Sequence, residues 1–180
     1  MKTRNIIIAA LAAVMSASCV SMDMVPKTQG NSATWYGTEK ELELATNEFY
    51  KMGYWNCLES AEQWSDNITY RQQNRNPNSY GCVLDGTVNG QQWEVYNLWQ
   101  QSYKLIVRAS SMIQFSGRAL ENGVSQATID KYVAQARFAR ACKYMDLLFF
   151  FGDVPYVDGQ MTIQEAEEKG RMAKDEVKAR

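Results

Sequence analysis

Residues 136–155 constrain the fold most, because they indicate one long helix with a defined end. Counted at about 100° per residue, the helix that Ser125 opens has an apolar face made of Ile129, Tyr132, Val133, Ala136, Tyr144, Leu147 and Phe151. The opposite face carries Phe138, Cys142, Met145 and Phe149. A helix that is apolar on two sides is expected to be buried between neighbours. We therefore predict an all-α chain of stacked helix pairs.

The end of this helix is specified by Gly152 and Pro155. Glycine tolerates the left-handed backbone that stops a helix, and proline cannot continue one. Arg140 projects along the first apolar face, so it must reach solvent or find a carboxylate partner. We expect Arg140 and its neighbour Arg137 to have structural roles.

Two further helices are indicated before this one. Thr38 and Glu41 are spaced as a capping box, and an apolar stripe follows at Leu42, Ala45, Phe49 and Met52. This pattern could extend as far as Leu58. A second helix is predicted from about Trp93 to Phe115, and its stripe consists of Tyr96, Trp99, Tyr103, Ile106 and Ile113. We predict that these aromatic residues pack in the core.

The remaining segments are a long loop and a short C-terminal helical region. Residues 61–92 are rich in Asn, Gln, Ser and Gly and are predicted to form a long irregular loop. Thr162 and Glu165 form a second capping box, and another helical pattern begins near Lys174.

The chain begins with the features of a secretory signal peptide. Lys2 and Arg4 precede an apolar run and a small-residue stretch, which ends at Cys19. The apolar run is much shorter than the roughly 20 residues of a transmembrane helix. Cys19 suggests a bacterial lipobox, although Ser16 stands where Leu is usual; an ordinary cleaved signal is the alternative. We expect a signal peptide at 1–18, acylation at Cys19 and a lipidated tether at 19–36.

Charge and composition argue against several functions. The chain has 19 Lys and Arg and 20 Asp and Glu; loss of Lys2 and Arg4 with the signal leaves 17 basic against 20 acidic side chains. Nucleic-acid capture relies on basic patches, so no nucleic-acid partner is expected. The sequence contains no histidine, which excludes Ser-His-Asp catalysis, Cys-His catalysis and histidine-ligated metals. We predict no metal and no cofactor.

The cysteines beyond Cys19 are Cys57, Cys82 and Cys142. Cys57 and Cys82 flank the polar loop and could pair in an oxidising compartment, and whether they do so stays open. Cys142 lies in a helical pattern, where a thiol usually serves as a small buried apolar group.

Three features together resemble the SusD/RagB family of surface glycan-binding lipoproteins. They are the lipoprotein signal, the aromatic helix with Trp99, Tyr103, Ile106 and Ala109, and the segment from Ala136 to Pro155. The stretch Gly170–Val177 also resembles the segment that follows in the family. Ala139 stands where the family usually has Leu, and Cys142 and Met145 replace more typical apolar or aromatic residues.

This resemblance implies the fold and function of the family's N-terminal portion. It implies tetratricopeptide-like helix pairs, here in an N-terminal domain at 37–180. It further implies a non-catalytic lipoprotein of the outer membrane, facing the cell exterior. Such a protein binds oligosaccharide or polysaccharide and acts as a lid on a TonB-dependent, SusC-like transporter. Because family members are much longer, we expect this chain to be truncated at its C-terminus, as a fragment or a shortened gene product.

The resemblance also suggests where a glycan would bind. In similar proteins the ligand lies on loops above the helices, partly on the region before the tryptophan helix. In this chain that region offers Trp64, Asp66, Asn67, Tyr70, Arg71 and Tyr80. Trp64 or Tyr80 would stack on a sugar, and the polar side chains would bond its hydroxyl groups. The sequence does not indicate which glycan is bound.

Three alternatives remain. Glu59, Glu62 or Asp66 could supply the carboxylate pair of a glycosidase, although no motif supports this. A helical-repeat lipoprotein could serve only as a structural or protein-interaction subunit. A relative of the same family could take up peptide instead of glycan.

Overall fold

Helices make up most of the described part of the chain, which comprises residues 32–55, 90 and 93–180 of a computed structural model. In chain order they are α1 (Glu39–Glu48), a 3₁₀ helix (Met52–Tyr54), α2 (Trp93–Phe115), α3 (Gly117–Glu121), α4 (Gln126–Phe151), α5 (Ile163–Glu168) and α6 (Lys174–Lys178). These residues contain no β-strand; their single extended pairing is an antiparallel bridge between Val154 and Met172. The predicted all-α class is confirmed.

The predicted helix caps form the expected hydrogen bonds. The Glu41 N–H donates to Thr38 Oγ1 at 3.2 Å, and the Glu41 carboxylate accepts from the Thr38 N–H at 3.1 Å. Thr162 and Glu165 repeat this capping box at the start of α5. Ser125 Oγ accepts from the Thr128 N–H at 3.2 Å and caps α4. Each cap satisfies backbone donors that have no partner within the helix.

Helices α2 and α4 form an antiparallel pair at the centre of the fold. Trp99 near the start of α2 contacts Phe151 at the end of α4, whereas Ser110 further along α2 meets Arg140 further back in α4. The first apolar face of α4 is directed into the core, as predicted. One core cluster lies between α1, α2, α3 and α4 and includes Leu42, Phe49, Leu105, Met112, Ala119, Ile129, Val133 and Ala136.

A second core cluster holds the segment after α4 against the helix pair. It contains Ile106 from α2, residues of α4, and side chains that follow the end of α4. Its buried members are Ile106, Tyr144, Leu147, Leu148, Val154, Tyr156, Val157 and Val177. This cluster therefore fixes the position of the loop and of α6 relative to α2 and α4.

The expectation that both apolar faces of α4 are buried is wrong. Phe138, Met145 and Phe149 are 72%, 66% and 77% exposed, and Cys142 is half-buried. Because α1, α2 and α3 all pack on the first face, these helices leave the second face uncovered. The second face is therefore an apolar surface.

Two details of the predicted helices also differ. Helix α1 ends at Glu48 and is followed by the 3₁₀ turn, so Met52 leaves the apolar stripe and is exposed; Leu58 lies outside the described residues. Helix α2 has the predicted bounds, but Tyr96 is exposed. The buried positions on α2 are instead taken by Leu98, Leu105, Ile106, Ala109 and Met112.

Gly152 ends α4 with a φ of 68° and a ψ of −117°. The positive φ agrees with the prediction, although the ψ value differs from that of the left-handed helical region. The backbone then turns at Asp153, and Val154 pairs with Met172 through N–H to carbonyl bonds of 3.2 and 3.0 Å. The Gly-Asp-Val-Pro sequence thus reverses the chain onto its own helix pair.

Candidate functional site

The residues predicted to contact a glycan lie outside the described part of the chain. This applies to Trp64, Asp66, Asn67, Tyr70, Arg71 and Tyr80. Cys19, Cys57 and Cys82 also lie outside it, as do Glu59 and Glu62. The candidate site in the described part of the chain is formed by other side chains, on α2 and in the loop after α4.

An aromatic cluster joins the start of α2 to the end of α4. The rings of Trp99 and Tyr103 lie 4.9 Å apart, and Phe151 meets Trp99 edge to face at 5.0 Å. Such geometries add favourable ring contacts to simple burial. The Tyr103 hydroxyl donates to the Pro155 carbonyl at 2.7 Å, which ties the cluster to the reversed chain. Trp99 and Tyr103 remain partly accessible to solvent, so they lie at the edge of the core.

Asp153 and Arg171 hold the loop that passes this cluster. The Arg171 guanidinium donates to the Asp153 carbonyl at 3.0 Å and lies over Trp99, 5.7 Å from the ring centre. The Asp153 carboxylate accepts from the Lys174 N–H at 2.9 Å, at the start of α6. These contacts fix both ends of the loop beside Trp99.

A cleft of about 530 Å³ lies between the aromatic cluster and the loop. Its walls combine aromatic, apolar and polar groups from Trp99, Tyr103, Val107, Gln160, Met161 and Lys169. The Gln160 N–H donates to the Gln114 side chain at 2.9 Å, and a β-carbon at Gly159 would approach that side chain to 2.9 Å. The loop therefore packs closely on α2. A cleft of this size with partly exposed rings and polar groups suits a small amphipathic ligand.

Tyr144 of α4 anchors the same loop through its hydroxyl group and its ring. Its hydroxyl accepts from the Val157 N–H at 2.6 Å and donates to the Val157 carbonyl at 3.2 Å, and its ring stacks on Tyr156. Burial raises the pKa of Tyr144 to about 12, although the Val157 N–H opposes this rise. Burial also raises the pKa of Tyr103. Both phenols are therefore neutral hydrogen-bonding groups near neutral pH.

Lys143 and Asp146 form a buried ion pair that the sequence reasoning missed. Their charged atoms are 2.9 Å apart, and the Lys143 ammonium also lies 4.4 Å from the Trp55 ring centre. Opposite charges at i and i+3 on a predicted buried helix are a signal that could have revealed the pair. Burial and the adjacent Asp146 carboxylate raise the pKa of the Cys142 thiol. That shift reduces the reactive thiolate fraction.

Arg140 has a hydroxyl partner. Its guanidinium is half-buried and donates to Ser110 Oγ at 3.2 Å. Ser110 in turn donates to the Val157 carbonyl at 3.2 Å. Arg137 lies one turn earlier on α4 and is exposed. The structural roles expected for these arginines remain predictions.

The described residues contain no group of three or more side chains suited to hold a metal ion. Among the same residues, no helix is both long enough and apolar enough to cross a membrane.

Comparison with known proteins identifies SusD-like relatives. No protein-family model matches the chain. A curated SusD-like protein of Bacteroides ovatus is 25% identical over 163 residues, which cover 88% of this chain and 29% of the relative.

Two solved structures from Bacteroides fragilis share the fold. One is described as a SusD-like carbohydrate-binding protein; it has a TM-score of 0.62 and 23% identity, and the match covers 80% of this chain and 29% of that protein. The other is a SusD-like protein with a TM-score of 0.68 and 17% identity, covering 79% of this chain and 27% of that protein.

The chain thus spans under a third of the length of each of these relatives. Within that span, the sequence match and the helical fold agree with the resemblance that the Trp99 helix and the Ala136–Pro155 segment suggested. The resemblance is therefore confirmed: over the portion that it spans, the chain is similar in sequence and in fold to SusD-like proteins.

Proposed function

We propose that the chain is the N-terminal part of a non-catalytic, glycan-binding surface lipoprotein that works with a TonB-dependent transporter. The observation that carries this proposal is the agreement of sequence and fold with SusD-like proteins, one of which is described as carbohydrate-binding. In this proposal, residues 37–180 form the helical domain.

Two places in the chain suit contact with a sugar. One is the polar region with Trp64, Tyr80 and their neighbours. The other is the cleft beside Trp99, where partly exposed rings lie next to the Gln160 and Lys169 side chains. A pyranose has an apolar C–H face and polar hydroxyl edges, so it is complementary to aromatic rings flanked by hydrogen-bonding groups.

The anchoring part of the proposal rests on the N-terminal sequence. Signal cleavage before Cys19 and acylation of its thiol would tether the protein to the outer membrane without a spanning helix. The residues at 19–36 would then separate the helical domain from the lipid. A surface-facing tether of this kind would place the domain beside a SusC-like transporter.

Glycan binding can be tested with three matched variants. Binding of a panel of neutral oligosaccharides is measured by calorimetry for the wild type and for Trp64→Ala, Lys169→Ala and the control Trp93→Ala. Trp93 is exposed at the start of α2 and does not line the cleft beside Trp99. We expect Trp64→Ala or Lys169→Ala to weaken binding at least tenfold, with an unchanged melting temperature and no effect of Trp93→Ala.

Two results would contradict this function. Failure of the protein to bind any saccharide would contradict the glycan-binding function, and binding of a peptide panel instead would favour the peptide-uptake alternative. Release of shortened saccharides by purified protein would indicate a glycosidase.

The exposed second face of α4 favours a second candidate, a protein-interaction role. Phe138, Met145 and Phe149 are largely exposed, and their spacings of seven and four residues place them on one face of α4. Such surfaces commonly mark protein contacts. Transporter association that is lost in Phe138→Ser and Phe149→Ser, in a protein that binds no saccharide, would support this candidate over glycan capture.

A further inference from the structure

A second cleft, of about 790 Å³, lies between the later half of α4 and α6. Its lining includes five basic residues, and none of the described side chains that line it is acidic. The residues on which the argument depends are Arg137, Arg140, Met145, Phe149, Lys174 and Lys178. The set has no member in common with the cleft beside Trp99.

The basic side chains differ in how far they are already neutralised. Lys178 pairs with Asp175 at 2.8 Å, and Arg180 lies 3.8 Å from Glu176. Both pairs are exposed, where ion pairs contribute little to stability and can be exchanged for a ligand. The third cation, Arg140, donates to the neutral Ser110 hydroxyl and forms no ion pair with a carboxylate of the described residues.

Arg137 and Lys174 have no carboxylate partner for their side chains within the described residues. Arg137 and Arg140 lie three positions apart on α4, a spacing at which like charges destabilise a helix. Lys174 faces the same cleft from the start of α6. An anion in the cleft would offset this repulsion, since it would be close to all three positive charges.

The remaining wall of the cleft is apolar. Met145 and Phe149 are both largely exposed, and both line the cleft next to the arginines. An exposed ring beside guanidinium groups offers a stacking surface and planar hydrogen-bond donors together. A ligand that matches both has an apolar face and an anionic group.

We propose that this cleft binds an anionic oligosaccharide, with its carboxylate or sulfate group held by Arg137, Arg140 and Lys174 and a sugar face on Phe149. The guanidinium fork suits both anions because it can donate two parallel hydrogen bonds. The inference rests on the proposed glycan-binding function and specifies a charged ligand class for a second site.

The test compares three trisaccharides of matched length by calorimetry with the 180-residue chain. They are trigalacturonate, sulfated maltotriose and neutral maltotriose. We expect at least one anionic trisaccharide to bind tenfold or more tightly than maltotriose, and its affinity to fall as salt is raised. Trigalacturonate binding alone would identify a carboxylate, and sulfated maltotriose binding alone would identify a sulfate.

Arg137→Gln and Lys174→Gln should each lower the affinity for the preferred anionic trisaccharide at least fivefold. Lys104→Gln removes the same charge from an exposed position on α2 outside the cleft and should have no effect. Melting curves of all three variants should match the wild type, because the substituted side chains are exposed.

Equal affinity for all three trisaccharides, or an anion preference that both cleft variants retain, would overturn the inference. Binding of neutral glycans that Lys169→Ala weakens, without binding of either anionic probe, would overturn it and leave the proposed function intact. Absence of binding by every neutral and anionic saccharide would overturn both.

Discussion

Lys143 Nζ and Asp146 Oδ2 lie 2.9 Å apart on α4, and the lysine side chain is fully buried. The ammonium group also faces the Trp55 ring, while the Trp55 indole N–H donates to the Phe49 carbonyl at 2.8 Å. The pair therefore connects α4 to the segment that follows α1. A buried charge is tolerated here because its partner lies one turn away on the same helix.

Lys143→Met should destabilise the protein by about 3–5 kcal/mol, since it leaves the Asp146 carboxylate buried without its counter-charge. The double variant Lys143→Met/Asp146→Leu should recover most of this loss. Urea unfolding measures the stability of the single and the double variant. Lys131→Met is the control, because Lys131 is at an exposed position of α4. A single variant as stable as the control would show that the pair has no structural importance.

Tyr144→Phe should lower the free energy of unfolding by about 1–3 kcal/mol, because it leaves the buried N–H of Val157 without a partner. Tyr50→Phe provides the comparison. Its hydroxyl also forms one hydrogen bond, to Gln135 at 3.0 Å, but at an exposed position where water can replace it. In thermal unfolding, Tyr144→Phe should have a clearly lower melting temperature than Tyr50→Phe. Equal melting temperatures would refute the anchoring role of the Tyr144 hydroxyl.

Alkaline pH should destabilise the fold through Tyr144 and Tyr103. Both phenols have pKa values raised by burial, to about 12 for Tyr144, from an ordinary value of 10.0. Above pH 10 the unfolded chain loses these protons more readily than the folded chain. The stabilisation that the two neutral phenols provide is therefore complete below pH 10. It is lost as pH rises toward 12, at up to about 1.4 kcal/mol per pH unit for each group.

Denaturant unfolding at pH 9, 10 and 11 measures this dependence. In Tyr144→Phe the free energy of unfolding should fall less steeply with pH than in the wild type, although it starts from a lower value. Identical slopes in the two proteins would show that Tyr144 ionises equally in the folded and unfolded states.

Gly152→Ala should destabilise the protein by about 1–3 kcal/mol, because its φ of 68° with a ψ of −117° is a conformation that residues with a β-carbon rarely adopt. Gly53→Ala is the matched control. At both positions the new methyl group would meet no atom within 4 Å, but only Gly152 has a positive φ. A similar effect of the two substitutions on the melting temperature would rule out backbone strain as the cause.

Cys19→Ala should move the protein from the membrane fraction to the soluble fraction, since the variant lacks the thiol that would carry the lipid. Cell fractionation with mass spectrometry of the N-terminal peptide measures this. Membrane retention of the variant, together with an unmodified wild-type peptide, would exclude the lipoprotein proposal.

Local signals in the sequence predicted much of the fold. Thr38, Ser125 and Thr162 cap their helices because a capping bond depends on residues within one turn. The first apolar face of α4 was predicted for a similar reason, since helical periodicity decides which residues share a face. The Ala136–Pro155 segment carried a resemblance to SusD-like proteins, and the comparisons with known proteins agree with it.

Long-range packing could not be predicted in this way. Periodicity shows that Phe138 and Phe149 are apolar, but only the arrangement of the other helices shows that they are exposed. The cleft beside Trp99 likewise depends on how the loop with Gln160 and Lys169 returns to α2, which spacing along the chain does not encode.

The antiparallel pairing of Val154 with Met172 has a consequence for how this protein can diversify. The chain leaves and rejoins the helical scaffold at nearly one point, because each residue's N–H donates to the other's carbonyl. Insertions or deletions between Gly159 and Lys169 would then reshape one wall of the cleft while the helix pair keeps its register. The shape of the cleft and the stability of the scaffold are thereby free to evolve at separate rates.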